Sequence, residues 1–408
     1  MSEEAIESPE LRLYRLKARE WLAGNMPRAG EVVEDDDDDP TEDRIDAIKA
    51  AQKRLYDAGY AGFTFPVEYG GQGLTLEHER VFLEEANGFD LPNRYFGVSI
   101  NILGATVAAF GTHEQKQRHI AKILSGEERW LQFLSEPSGG SDLAGLLTSA
   151  SRDGESFLVN GQKTWSTGAH LSDFALCPVR TRWDVPKHKG ISVLIVDLKS
   201  PGIEIRRIKQ INGGAEFCEE FFSDVVVPAS NLLGEENQGW RVARGLLEIE
   251  HAWVGRGGAR TARGGGISTL VDAAARRGLD RDLGVRRQVV NLHVLSTAQS
   301  LVATRLSNGM ESGKLIPGYG SLLKLGDDIL QQRTTELGLS LAGAAGVVWS
   351  KDDAAAASWS QAFLSSRSAS IAGGTDEIQR NNASERVLGL PREPAADRDV
   401  PFNQVPHN

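Results

Sequence analysis

Several stretches of this sequence carry residue types that chemistry can use. Gln132-Phe133-Leu134-Ser135-Glu136-Pro137-Ser138-Gly139-Gly140-Ser141-Asp142 starts apolar and breaks at Pro137 into a loop of small residues with hydroxyls and carboxylates. Such a loop lets its backbone approach a bound group and offers several hydrogen-bond partners at once, although glycine-serine loops are more often plain turns. In Val159-Asn160-Gly161-Gln162-Lys163-Thr164-Trp165-Ser166-Thr167-Gly168, the run Trp165-Ser166-Thr167 sets a flat apolar wall beside hydroxyl and backbone groups. The plainer alternative for Trp165 is a core aromatic. Near the far end come Gly373-Gly374-Thr375-Asp376-Glu377-Ile378-Gln379-Arg380 and Glu385-Arg386-Val387-Leu388-Gly389-Leu390-Pro391. There the glycines break the chain, Thr375 caps a helix, and Asp376 and Glu377 suit its first-turn dipole; Gly389 and Pro391 end it.

One carboxylate stands out. Ala243, Leu246, Leu247 and Val254 form an apolar stripe at helical spacing, and Glu250 falls on the same face. A carboxylate there is costly unless it is satisfied or used. Its neighbours three and four residues away are Leu246, Leu247, Trp253 and Val254, so no same-helix ion pair explains it. Glu248 points away and has Arg244 four residues before it, a sufficient surface explanation. The alternative for Glu250 is a stripe-edge carboxylate reaching water or a distant arginine.

The elements that must position these residues follow from periodicity. Residues 10 to 24, Asp46 to Ala58, Leu76 to Asn87 and Ser99 to Ala109 read as helices, and Thr112 opens another. Glu34 to Asp39 is an acidic run that repels itself and stays solvated. Pro66 to Gly73 is a turn-rich link, and His113 has no second ligand at metal spacing. From Trp130 the character changes. Glu155 to Trp165 alternates around Asn160-Gly161, a two-residue hairpin signal. Ile191 to Asp197, Ile203 to Ile208 and Phe217 to Val227 read as further strands, and from Gly239 helical spacing returns. The expected fold is α+β: a helical domain (1–130), a β-barrel or sandwich (131–238), a helical bundle (239–392) and a tail (393–408). No strand leads into a Gly-x-Gly-x-x-Gly turn, which argues against a nicotinamide-binding domain.

At 408 residues the chain is long enough for two or three packed units. Its net charge of -11 argues against a general nucleic-acid binder. No apolar run approaches the ~20 residues of a membrane span. Two cysteines and an acidic N-terminus without signal-peptide character fit a reduced, cytoplasmic setting.

The blocks around Ser135, Trp165 and Thr375, in this order and at these separations, resemble the acyl-CoA dehydrogenase family of flavoenzymes. The resemblance runs over residues 10 to 392. It implies FAD as cofactor, with Trp165, Ser166 and Thr167 lining the flavin ring and Leu134, Ser135 and Ser141 on its other side. Thr375 and Glu377 would touch the flavin too, although glutamine is commoner at the latter position. Family members also complete the flavin site with an Arg-x-x-Phe-Gly segment of a neighbouring subunit. Here Arg281-Asp282-Leu283-Gly284-Val285-Arg286 departs from it, lacking the phenylalanine and leaving Arg281 or Arg286 for the diphosphate. The Ala342-Gly343-Ala344-Ala345-Gly346 turn is similar to the segment near the adenine, with simple helix packing as its alternative. The implied partners are an acyl-CoA and an electron-transfer flavoprotein or similar acceptor. The implied assembly is a homotetramer, or a heterotetramer with a related chain.

The implied reaction forms a trans α,β double bond in an acyl thioester, with a carboxylate taking the α-proton and flavin N5 accepting the β-hydrogen as hydride. Many relatives carry that carboxylate just before the Gly-Thr of the C-terminal motif, where this chain has Gly373. One branch, which includes isovaleryl-CoA dehydrogenase, carries it on an earlier helix. Matched on the helix-opening Gly239, that residue is Glu250. Two alternatives remain: a monooxygenase or oxidase on the same fold, and a silent subunit of a heteromer. The glycines at 255, 257, 258 and 264–266 suggest either close packing, mobility or room for a bulky acyl group.

Overall fold

The computed structural model describes residues 7–29, 42–255, 266–348, 353–395 and 397–406. The acidic run Glu34–Asp39 and most of the glycine-rich stretch after Glu250 lie outside them. The chain groups into two compact units. Met1–Ile208, Ala215–Ile249 and Asp397–Asn408 form the first; Lys209–Gly214 and Glu250–Ala396 form the second.

The first unit begins with helices α1 (Pro9–Asn25), α2 (Glu42–Asp57), α3 (Leu76–Ala86) and α4 (Asn93–Val98). A wide π-turn over Ser99–Gly104 leads into α5 (Ala105–Phe110), and α6 (His113–Ser125) follows. Side-chain caps explain two of the starts, the one at Thr112 as expected. Ser8 accepts from the Leu11 N–H at 3.2 Å. Thr112 and Gln115 close a reciprocal capping box. The apolar faces meet in a core of Leu22, Leu55, Phe63 and Phe82.

Strands β1 (Trp130–Gln132), β2 (Ser149–Asp153), β3 (Ser156–Thr167), β4 (Phe174–Arg180), β5 (Ile191–Asp197), β6 (Ile203–Arg207), β7 (Phe217–Pro228) and β8 (Leu232–Leu233) follow. They form one sheet in the order β6-β7-β3-β2-β4-β5-β8, with β1 parallel to β4. Phe157, Val159, Cys177, Leu194, Phe222 and Val225 share one buried cluster. Since β5 and β7 are not neighbours in the sheet, it must curl around that core, as expected of a barrel-like unit. Gln115 joins helices to sheet by donating to the carbonyls of Ser230 and Leu232 at 2.8 and 2.9 Å.

The hairpin expected at Asn160-Gly161 is not there. β3 runs straight through both residues and pairs with β7 on either side. The turn falls earlier, at Gly154 (φ 58°), between the paired Asp153 and Ser156. Asn160 is committed across the sheet. Its Nδ2 donates to Asp224 Oδ1 at 3.0 Å, and the Asp224 N–H returns a bond to its Oδ1 at 2.9 Å. Asp224, at φ 52°, is the extra residue of a bulge opposite Asn160. Gly161 is needed for close approach: a Cβ there would lie 2.7 Å from Thr148 Cα.

The second unit holds the end of α7 (Gly239–Gly255), then α8 (Ile267–Arg276), α9 (Leu283–Glu311), α10 (Gly320–Ala342), α11 (Ala344–Val348), α12 (Ala354–Ser366) and α13 (Asp376–Asn382). Leu270, Leu292, Leu337, Leu341 and Trp359 form its core. Trp359 packs so closely on Gly338 that a Cβ there would meet the indole at 2.0 Å. Among the described residues no helix is long and apolar enough to cross a membrane.

These two glycine positions make a test. Gly161→Val should lower stability by about 1–3 kcal/mol, the cost of a backbone clash in a packed sheet. Gly154→Asn, facing open space at a φ that asparagine tolerates, should change it little. Thermal unfolding of both variants measures this, and the opposite order would place the turn wrongly.

Candidate active site

In the first unit the site residues are organised by a buried ion pair. Lys163 and Glu136 are both buried, with Nζ 2.8 Å from Oε1. Glu136 also accepts from the N–H groups of Leu147 (2.6 Å) and Thr148 (3.0 Å). Burial would raise its carboxyl, but Lys163 and these N–H groups outweigh that and hold it below the usual range. The Thr164 N–H donates to the Ser135 carbonyl at 3.0 Å. Ser135 therefore lies beside the strand that carries Trp165, and Leu134 precedes it with its carbonyl 3.4 Å from Lys163 Nζ. The loop then turns tightly, Glu136 and Gly139 exchanging backbone bonds at 3.1 and 3.0 Å. Pro137 through Asp142, including Ser141, is exposed.

Trp165 is placed by a second bulge. Thr164 pairs with Glu219 and Ser166 with Cys218, so Trp165 is the unpaired extra residue, at φ 67°. A bulge bends the strand and re-aims one side chain. The indole is 58 % exposed, which removes the core-aromatic alternative. It touches Phe217 edge-on, with ring centroids 6.0 Å apart. Thr167 is exposed as well, whereas Ser166 is buried and its hydroxyl donates to the buried Glu220. What Ser166 can offer a ligand is its backbone. Burial pushes the Glu220 carboxyl up to about 7 despite Ser166 and the nearby Lys163, and its second oxygen has no hydrogen-bond partner among the described residues.

α7 starts against the sheet: a Cβ on Gly239 would meet the Ser192 backbone at 2.6 Å, and one on Gly245 the Phe110 ring at 2.3 Å. Val242, Ala243 and Leu246 are buried along it, Leu247 and Glu250 half-buried, and Glu248 exposed with Arg244 at 3.3 Å. Burial alone lifts the Glu250 carboxyl to about 7. Glu250 has no ion-pair or hydrogen-bond partner among the described residues.

In the second unit Gly373 and Gly374 take φ of 65° and 86°. Gln379 is buried and donates to the Gly373 carbonyl at 2.7 Å. Thr375 accepts from the Ile378 N–H at 3.2 Å as a cap, and Glu377 is exposed. Asp376 is tied to Lys324 at 3.3 Å, and Lys324 to the buried Asp328 at 2.5 Å. Arg281 is exposed just before Asp282, whose side chain caps α9 by accepting from Val285 N–H at 2.9 Å. Gly343 ends α10 at φ 58°, exposed.

Models of three domains match the chain: acyl-CoA dehydrogenase N-terminal domain over residues 8–127, middle domain over 132–225 and C-terminal domain over 237–388. The acyl-CoA dehydrogenase IpdE1 of Mycobacterium tuberculosis is 35 % identical over 93 % of this chain and 98 % of its own length. The chain belongs to the acyl-CoA dehydrogenase family. Mitochondrial isovaleryl-CoA dehydrogenase of Pongo abelii is 32 % identical over 60 % of this chain and 57 % of its own. A solved structure described as the Tcur3481-Tcur3483 steroid ACAD superposes with TM-score 0.76 at 27 % identity, covering 95 % of this chain and 99 % of that one. The ChsE4-ChsE5 complex from Mycobacterium tuberculosis gives 0.70 at 25 %, covering 96 % and 100 %. These relationships support an oxidoreductase acting on an acyl-CoA.

FAD is the cofactor of this family. An exposed indole with an exposed hydroxyl two residues on, beside an exposed glycine-serine loop, fits the apolar slot and polar edge that a flavin ring needs. Sequence reasoning missed Glu220, Gln379 and the pairing of Glu136 with Lys163. Lys163 on an alternating strand was the available signal, since a lysine on a buried face needs a partner. Glu220 gives a pH test. Its folded value of about 7 lies above the ~4.3 of an unfolded glutamate, so its stabilising share is full at low pH and lost as pH rises through 7. Glu220→Gln should therefore gain on wild type, by up to about 3 kcal/mol, between pH 5 and pH 8. Urea unfolding at both pH values measures this, and a pH-independent difference would contradict it.

Proposed function

We propose that this enzyme carries out FAD-dependent α,β-dehydrogenation of an acyl-CoA thioester to the trans-2-enoyl-CoA, with Glu250 as the base. The observation that carries the assignment is a half-buried, unpaired carboxyl in an apolar helix face, lifted to about 7 by burial. A base near the operating pH combines the right protonation state with driving force. Gly373 leaves the alternative position without a carboxylate, and the Glu250 placement is that of the isovaleryl-CoA dehydrogenase branch.

The proposed cofactor contacts are Leu134, Ser135, Ser141, Trp165, Thr167 and the Ser166 backbone in the first unit. In the second they are Arg281, Gly343, Thr375 and Glu377. When bound, the flavin supplies the acceptor for the β-hydrogen as hydride. Glu250 takes the α-proton, and its apolar surroundings disfavour the ionised form in the free protein, so charge relief accompanies transfer. Likeness to a steroid ACAD supports a bulky, ring-bearing acyl group as substrate class. The electron acceptor is then an electron-transfer flavoprotein or similar protein.

A tetramer, with a second related chain as in the ChsE4-ChsE5 complex or with copies of this one, is supported by α9. Leu283, Val290, Val294 and Leu301 share one face of that helix and are all exposed. If activity appeared only on mixing with a co-purifying homologue, and Glu250→Gln in this chain left it intact, the silent-subunit reading would replace this one.

Glu250→Gln should keep flavin absorption and ligand binding while lowering turnover at least ~10²-fold, the low end for a positioned general base. Glu248→Gln should be near neutral. Near-normal flavin reduction by Glu250→Gln with the best acyl-CoA would sink the assignment. A base acts in its carboxylate form, so kcat/KM should climb with pH and level off above about 7. A profile already flat from pH 5 upward would contradict the raised value.

A further inference from the structure

The segment Asp397–Pro406 returns to the first unit and lies along the 180–187 turn. The Phe402 N–H donates to the Val185 carbonyl at 2.8 Å, and the Asn403 N–H to that of Trp183 at 2.9 Å. Pro401 and Pro186 form an isolated β-bridge. Phe402 is buried, stacked on Trp183 with centroids 5.7 Å apart, and Arg180 Cζ lies 3.9 Å from its ring centroid.

Arg180 is itself fully buried. Its Nη2 donates to the carbonyls of Ala144 (2.6 Å) and Leu146 (3.3 Å), and its Nη1 to that of Lys187 (2.5 Å). Ala144 and Leu146 are where the glycine-serine loop re-enters the protein. A second link runs in parallel. Lys187 Nζ donates to Asp142 Oδ2 at 2.7 Å and to Asp397 Oδ2 at 2.9 Å. The near end of the loop is fixed by Glu136 and Lys163; beyond the bonds of Glu136 to the Leu147 and Thr148 N–H groups and the burial of Ala144 and Leu146, its far limb is held through Arg180 and Lys187. Both of those cations face the segment.

We propose that residues 397–406 are a positioning strap: Phe402 through Arg180, and Asp397 through Lys187, hold the far limb of the 137–146 loop in its ligand-ready place. The physical case is desolvation. A guanidinium bonded to carbonyls holds them more firmly when water is excluded. The Phe402 ring provides both the exclusion and a π face. Without it water reaches Arg180, and a loop containing Gly139, Gly140 and Gly145 regains much of its conformational freedom. The consequence for affinity rests on the reading above that Ser141 and its neighbours contact the flavin.

The test uses the full chain with Phe402→Leu, Phe402→Tyr and Asp397→Asn. Hydrogen exchange of peptides covering 137–147 should speed up about fivefold or more in Phe402→Leu, the low end for losing one cation–π contact. Phe402→Tyr, which restores the ring, should exchange as wild type, and Asp397→Asn should show a smaller increase. Peptides from β3 and β7 should be unchanged in all three. FAD titrated into the apo-protein should bind about fivefold more weakly to Phe402→Leu, with kcat at saturating FAD within about twofold of wild type, because ordering cost falls on binding. Unchanged loop exchange in Phe402→Leu, or an increase spread evenly over the sheet, would overturn the strap. Faster loop exchange with unaltered FAD affinity would leave the strap standing and refute the loop's assignment to the cofactor.

Discussion

The Glu136–Lys163 pair is the interaction on which the placing of the glycine-serine loop against β3 depends. Two charges at the centre of a curled sheet are expensive to desolvate, and such a pair survives only with close geometry and further hydrogen bonds. Here Glu136 has two backbone donors besides Lys163, and Lys163 also reaches the Leu134 carbonyl. The pair joins the start of the glycine-serine loop to the strand bearing Trp165, two motifs that are distant in sequence. Removing either partner would leave an uncompensated charge where water cannot reach. The loop and the strand would then lose their common anchor.

Around this anchor, irregularity supplies the shape. Two bulges interrupt the β3–β7 ladder, one on each strand. The Asp224 bulge lets Asn160 and Gly161 pass in line. The Trp165 bulge turns one aromatic outward between a buried Thr164 and a buried Ser166. Strict alternation would have put the indole on a regular face of the ladder, with no ring wall at that point. Positive φ at a tryptophan is a strained state that persists only when its surroundings impose it. The Thr164 bond to Ser135 on one side and the Ser166 bond to Glu220 on the other do so.

Helices and the strands β5, β6 and β7 were readable because periodicity is local: Ile191–Asp197 was bounded to the residue, and the Thr112 and Thr375 caps were named from short motifs. The register of Glu250 on its stripe was readable for the same reason. The Asn160-Gly161 turn was misread because a dipeptide that favours a hairpin is equally at home opposite a bulge when its partner strand lies far along the chain. Glu220, 54 positions from Ser166, and Arg180, 36 from Ala144, gave no local signal. Long-range satisfaction of buried polar groups is a property of the fold, and a single sequence shows only that a lysine or arginine in an apolar run needs something.

Gly373 and Glu250 bear on the base proposed above. At φ 65° Gly373 occupies backbone space that a glutamate enters only with strain, although nothing within 4 Å would block its Cβ. The obstacle there is conformational, and Gln379 maintains it by holding the Gly373 carbonyl. α7 has the opposite character. Its start is wedged against β5 at Gly239 and its middle against Phe110 at Gly245, and both contacts limit how far it can shift. A carboxylate carried by a braced helix has a fixed origin, which suits the base proposed above.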